Sequence, residues 1–195
     1  MSKSDPASSK KERNRNVRWF ITIFLVTIVV SAVISLGSEE LMAASSMAVA
    51  FVILFAIVML GIVFDVVGVA VTSADEKPFH SMAARKVPGA LEAIQLLRNA
   101  EKVGSICNDV VGDICGVVSG SASATIAVQI LQNFEFSWPR VVSLVMSSLV
   151  AGLTVGGKAI GKTFAINSCT TIVHGVGRII CWFTRIPRLF QKDKT

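Results

Sequence analysis

The chain has 195 residues, 52% of them hydrophobic and 16% charged, with a formal net charge of +6. Its mean hydropathy is +0.65. A soluble domain of this length carries about 25% charged residues, so these values exclude an ordinary water-soluble domain and read as an all-α integral membrane protein.

Residues 1–16, rich in Ser, Lys and Asn, show no apolar periodicity and read as a disordered basic tail. Residues 17–37 follow with VRWFITIFLVTIVVSAVISLG. This run is longer than the apolar core of a signal peptide, about 7–15 residues, and no A-x-A cleavage site follows it. It reads as a retained N-terminal transmembrane anchor, with residues 37–41 as a short outer turn. Residues 42–64 carry no charge, and the apolar run continues past Asp65 to Ser73. About 20 apolar residues cross the hydrocarbon core, which makes this the second span. Next, ADEKP puts Pro78 in the first turn of a short helix. Pro88 breaks the pattern and GALEAIQLLRNAEK resumes it, with Leu91, Ile94, Gln95 and Arg98 at helical spacing. Two short interfacial helices are expected here. Residues 103–131 form a third span seeded with Asn, Asp, Gly and Ser. NFEFSWP is a second outer loop with aromatic residues suited to the interfacial belt. Residues 141–155 form the fourth span. Beyond Gly161 the chain turns amphipathic and reads as a C-terminal juxtamembrane helix ending near Pro187. Residues 42–190 thus form one transmembrane domain, and 191–195 a short tail.

Basic residues cluster before the first span (Lys3, Lys10, Lys11, Arg13, Arg15), between spans two and three (Lys77, Arg85, Lys86, Arg98, Lys102) and after span four (Arg178, Arg185, Arg188, Lys192, Lys194). The other two loops hold Glu39, Glu40 and Glu135, with Arg140 the single base. The positive-inside rule then puts both termini and the central loop in the cytoplasm. These clusters suit the lipid bilayer and anionic lipid headgroups, and argue against a nucleic-acid partner. Cys107, Cys115, Cys169 and Cys181 form no C-x-x-C pair and read as small buried hydrophobes.

GGKAIGKT at residues 156–163 satisfies the phosphate-loop pattern G-x-x-x-x-G-K-[ST]. Such a loop needs a strand before it and backbone amides free to curl around phosphate. The preceding PRVVSLVMSSLVAGLTV is a membrane helix instead, so the nucleotide reading is set aside. The polar groups within the spans carry more weight, because intramembrane charges cost at least ~2.5–3.5 kcal/mol each and mark function. Asp65 lies in span two; Ser105, Asn108, Asp109 and Asp113 lie in span three. Asp109 and Asp113 are i, i+4 and share a face with Gly112, Gly116 and Gly120, a smooth surface for helix approach. Carboxylates, amides and hydroxyls are the donors that hard cations take. Equally, Asp65 or Asp113 pairs with Lys158 and only fixes helix register. Spacing leaves both readings open. His80 and His174 are single and read as surface or packing residues. With no Ser/His or H-E-x-x-H arrangement, no enzyme is expected.

FDVVGVAVTSA resembles the F-S-x-x-E-T-A-x-x-S signature of the CNNM/CorC (CorB-like) magnesium transporter transmembrane domain. LEAIQLLRNAEKVGSICNDVVGD resembles that domain's cytoplasmic helix leading into a span with S…GNN. GKAIGKTFA resembles its G-E-x-x-P-K-x-x-A, the end of the last span. The resemblance covers residues 44–188 and implies three membrane helices, a pair of short helices, a juxtamembrane belt, a homodimer and an Mg²⁺ site. Asp65 stands where the motif has Ser, Ser105 matches Ser, and Asp113 falls at or near the first Asn. Gly68 and Lys158 replace motif Glu residues, and Gly161 replaces the Pro. None of these 195 residues reads as a CBS domain, and the first span is additional. The expectation is a divalent-cation transport protein of a bacterial plasma membrane. Mg²⁺ would be held by Asp65, Ser105, Asn108, Asp109 and Asp113. The alternative is a non-transporting scaffold or partner-binding protein whose site is neutralised by Lys158.

Overall fold

The structure, a computed structural model, describes residues 6–43, 45–133 and 138–191. Every element among them is helical: α1 (Pro6–Ala43), α2 (Met47–Ser73), α3 (Lys77–Ala84), α4 (Ala90–Arg98), α5 (Ala100–Ser105), a π-helical turn (Ile106–Gly112), α6 (Asp113–Asn133), α7 (Pro139–Asn167) and α8 (Cys169–Gln191). Four stretches are long and apolar enough to cross a membrane: Val17–Met42, Met47–Ser73, Ala100–Asn133 and Pro139–Asn167. Closed backbone hydrogen bonding is what hydrocarbon demands of any spanning segment. The exposed side chains of α1, α2 and α7, among them Phe20, Leu25, Phe55, Leu144 and Leu149, are those that lipid tails accommodate.

Several boundaries differ from the sequence reading, each for a local reason. Helix α1 begins at Pro6, ahead of Val17, because KKER are good helix formers that extend an existing helix at little cost. It also runs through the expected turn at residues 37–41 to Ala43. Glu, Leu, Met and Ala there outweigh a single glycine, which costs about 1 kcal/mol. The end is fixed by tertiary contacts. Met42 is fully buried, and the Gln129 amide of α6 donates to its carbonyl at 2.9 Å, satisfying one of the carbonyls a helix terminus leaves free. Helix α8 continues through Pro187 to Gln191. In α4 the buried stripe is Ala90, Ala93, Ile94 and Leu97, while Leu91 faces out. Residues 134–137, the centre of the second outer loop, lie outside the described residues.

Helix α2 is the hub, packing on α6, α7, the π turn, α5 and α8. One apolar cluster joins Met42, Ala50, Leu54, Val58, Ala122, Ile126 and Val150 near the Met47 end of α2. A second gathers the far end of α2 (Ala70, Val71) with Phe79 of α3, Ala93, Ile94 and Leu97 of α4, Ala165 of α7 and Val173 of α8. The short helices therefore dock as a layer onto the bundle. Glu76 ties that layer together, 3.2 Å from His80 and 3.6 Å from Arg98. His174 reaches the Pro88 carbonyl at 3.2 Å. The cysteines are free; Cys107, Cys115 and Cys181 are buried and Cys169 is partly so.

Candidate functional site

GGKAIGKT lies inside α7, so its amides are committed to the helix ladder. Its glycines serve packing. A Cβ on Gly161 would come 2.7 Å from Val66 Cγ2, and one on Gly157 would meet Ile62 Cδ1. These two positions bring α7 close against α2, and Lys158 stands between them in sequence.

The Lys158 ammonium points into the bundle. Nζ is 3.9 Å from Asp65 Oδ1 and donates to the Gly112 carbonyl at 3.5 Å. The side chains are 25% and 16% exposed, respectively. At that separation and an effective dielectric of ~20 the attraction is about 4 kcal/mol, against a several-kcal/mol cost of removing each charge from water. The attraction offsets part of that cost, and neither charge is cheap to bury alone. Asp65, Gly112 and Lys158 lie about 18–21 residues from the Met47, Asn133 and Pro139 ends of their helices. At ~1.5 Å per residue this is about 30 Å, a full hydrocarbon thickness. The charges therefore sit at one edge of the apolar band, beside the layer of α3, α4 and α8.

The π turn supplies the third wall. It holds Asn108 and Asp109 and closes i→i+5 hydrogen bonds, an irregularity frequent at functional sites. Asn108 fills the notch left by Gly68: a Cβ there would run into Asn108 Oδ1 and come 2.8 Å from its Cγ. Gly68 and Asn108 are thus matched across the α2–π-turn contact. Asn108 Oδ1 is buried and accepts no hydrogen bond. Such an oxygen costs about 1–3 kcal/mol when left without a donor or cation.

The five residues expected to hold a cation are divided. Asp65 and Asn108 face the interior contacts of α2. Ser105 donates to Asp109 Oδ2 at 2.9 Å. Asp109 and Asp113 are exposed on the outer face of span three. Gly112 is buried, turned away from them onto Lys158, and nothing lies within 4 Å of where Gly116 or Gly120 would carry a Cβ. The close helix approaches within the chain use Gly61, Gly68, Gly157 and Gly161 instead of Gly116 and Gly120. Among the described residues no three His, Cys, Asp or Glu side chains come together as a metal cluster. The oxygen donors near Lys158 are one carboxylate (Asp65) and one backbone carbonyl (Gly112), with the Asn108 amide on the adjoining contact. Sequence reasoning missed the Gly112 carbonyl and the π turn, since main-chain groups leave no residue-type signal.

Comparison of this chain with known protein families, with curated proteins and with solved structures returned no match.

Proposed function

We propose that this chain is a multi-pass membrane protein that binds and moves a divalent cation, Mg²⁺ first, at a site centred on Asp65. Lys158 is the resident counter-ion that the cargo must displace. The observation that carries this reading is the Asp65–Lys158–Gly112 constellation: an ammonium held by a carboxylate and a carbonyl occupies the kind of oxygen environment a metal ion takes. An ionisable pair packed between spanning helices is a functional-site hypothesis by default. Mg²⁺ and the ammonium about 4 Å apart repel by about 8 kcal/mol at an effective dielectric of ~20, so the two cannot share the site. Lys158 leaves by extending its flexible stem toward the α8 layer, as long basic side chains do at membrane edges. Asn108 Oδ1, which lacks a donor, is an additional oxygen toward α2. Mg²⁺ retains several waters and needs only one or two carboxylates. In this reading both termini and the α3, α4 and α8 layer face the cytoplasm of a bacterial plasma membrane, following the basic clusters. A homodimer follows from the CNNM/CorC resemblance.

The same pair favours a second reading. If Lys158 never leaves Asp65, the chain keeps a transporter-like bundle without a working site and acts as a scaffold or partner-binding protein. Calorimetric titration of the purified protein with Mg²⁺, beside Lys158→Met and Asp65→Asn, separates the two. Transport predicts weak binding by the parent, at least tenfold tighter binding by Lys158→Met and none by Asp65→Asn. Dye-reported Mg²⁺ flux into proteoliposomes should follow the parent's binding. Silence in both the parent and Lys158→Met rejects transport and leaves the scaffold.

A further inference from the structure

A polar cavity lies away from the Asp65–Lys158 pair, where the turn between α3 and α4 meets α8. It encloses about 370 Å³ and is lined by, among others, Lys86, Pro88, Leu91, Glu92, Cys181 and Thr184. That volume is within the range of about 300–1,000 Å³ typical of small-molecule sites. Its two charged side chains are of opposite sign, and no ion pair joins them among the described residues.

The backbone at Lys86 is an independent observation. Helix α3 ends with the Lys86 amide donating to the Ala83 carbonyl at 2.9 Å and the Val87 amide to the Met82 carbonyl at 3.0 Å. This is the Schellman arrangement, whose left-handed position is ordinarily glycine. Here Lys86 occupies it, with φ of 57°, and is the one non-glycine residue of positive φ among those described. A bulky side chain in this conformation is strained, and strain of this kind gathers at functional sites. Glycine would make the same cap more cheaply, so the lysine side chain is what the position gains. The opposite wall is equally fixed. Gly89, with φ of 86°, lies against the backbone of Arg178, which holds the start of α4 close to α8.

The surroundings identify the source of the ligand. Leu91 at the cavity is exposed, and α8, which lines the cavity through Cys181 and Thr184, also carries exposed Ile179, Trp182 and Phe183, with the Trp182 and Phe183 rings 5.1 Å apart. Trp settles at the headgroup level of a bilayer, and Phe on the apolar face of an interfacial helix dips below it.

We propose that this cavity binds a zwitterion bearing a phosphate and a primary amine, presented by an aminophospholipid. Lys86 takes the phosphate as a charge-assisted partner. Glu92 accepts the ammonium hydrogens, with acyl chains leaving past the exposed Leu91. A choline headgroup lacks N–H donors for Glu92, and a glycerol headgroup lacks the cation, so both bind more weakly. The site acts whether or not Asp65 handles a metal ion.

The test is calorimetric titration of the full-length protein in detergent with dihexanoyl phosphatidylethanolamine, phosphatidylcholine and phosphatidylglycerol, and with soluble phosphoethanolamine. The ethanolamine lipid should bind saturably and at least tenfold tighter than the other two lipids. Glu92→Gln should erase that preference. Lys86→Gly should lose binding tenfold or more while its melting temperature equals or exceeds the parent's, because the cap is relieved of strain. Lys86→Asn, which tolerates the same backbone conformation, gives a second check on the lost charge. Soluble phosphoethanolamine binding as tightly as the lipid would assign a soluble source for the same chemistry; tenfold weaker binding assigns the membrane. Equal binding of the three lipids, or unchanged binding by Lys86→Gly and Lys86→Asn, overturns the proposal.

Discussion

Replacing Lys158 by Met keeps an unbranched, flexible side chain, one atom shorter, and removes its charge. Asp65 then loses its only cationic partner within 4 Å among the described residues. Breaking a buried pair costs about 3–5 kcal/mol because the remaining charge is uncompensated. Partial exposure, 16% at Asp65 and 25% at Lys158, argues for the lower end, about 3 kcal/mol. That is about two decades in the unfolding equilibrium. An ordinary interhelical hydrogen bond within a membrane is worth only about 0.6–2 kcal/mol, so the loss of the Gly112 contact alone falls short of it. Reversible unfolding in mixed micelles, titrated with dodecyl sulfate, measures the difference. Asp65→Asn should be destabilised similarly, and the double variant should lose about 3–4 kcal/mol where additivity gives about 6, a coupling of about 2–3 kcal/mol. Added Mg²⁺ should stabilise Lys158→Met more than the parent. Single variants within about 0.5 kcal/mol of the parent, with additive effects, would refute the pairing argument.

Gly68→Ala drives a methyl into the Asn108 side chain, packed beside Cys107; a loss of about 1–3 kcal/mol is expected, and Asn108→Ala in the same chain should restore much of it in thermal unfolding. Gly161→Ala meets Val66 Cγ2 at 2.7 Å and should lower the melting temperature, with rescue by Val66→Ala, whereas Gly116→Ala, with open space around it inside α6, should keep or raise it. Gln129→Ala removes the bond that caps α1 at Met42 and should cost about 0.5–1.5 kcal/mol, with faster amide exchange at the start of α2 as the local readout.

The spans, their order and the short helices between the second and third were legible in the sequence because each depends on local composition. Hydrocarbon requires about 20 apolar residues and a closed hydrogen-bond ladder, whatever the neighbours are. The proline and glycine positions around α3 and α4 were equally local, since Pro78 restricts its own backbone and Gly89 permits a left-handed one. Boundaries set by partners were not: α1 ends where Gln129 and the core around Met42 hold it, 87 residues away in sequence at the Gln129 bond. The acids of the candidate site were visible as polar residues in apolar runs, and Lys158 as a charge near them. Which acid the lysine meets was open, and the bundle decided it. Gly157 and Gly161 bring α7 against α2, so Lys158 meets Asp65, while the π turn faces Gly112 inward and leaves Asp109 and Asp113 on the outer face. Residue types announce that charge is buried; only helix packing fixes which charge sits against which.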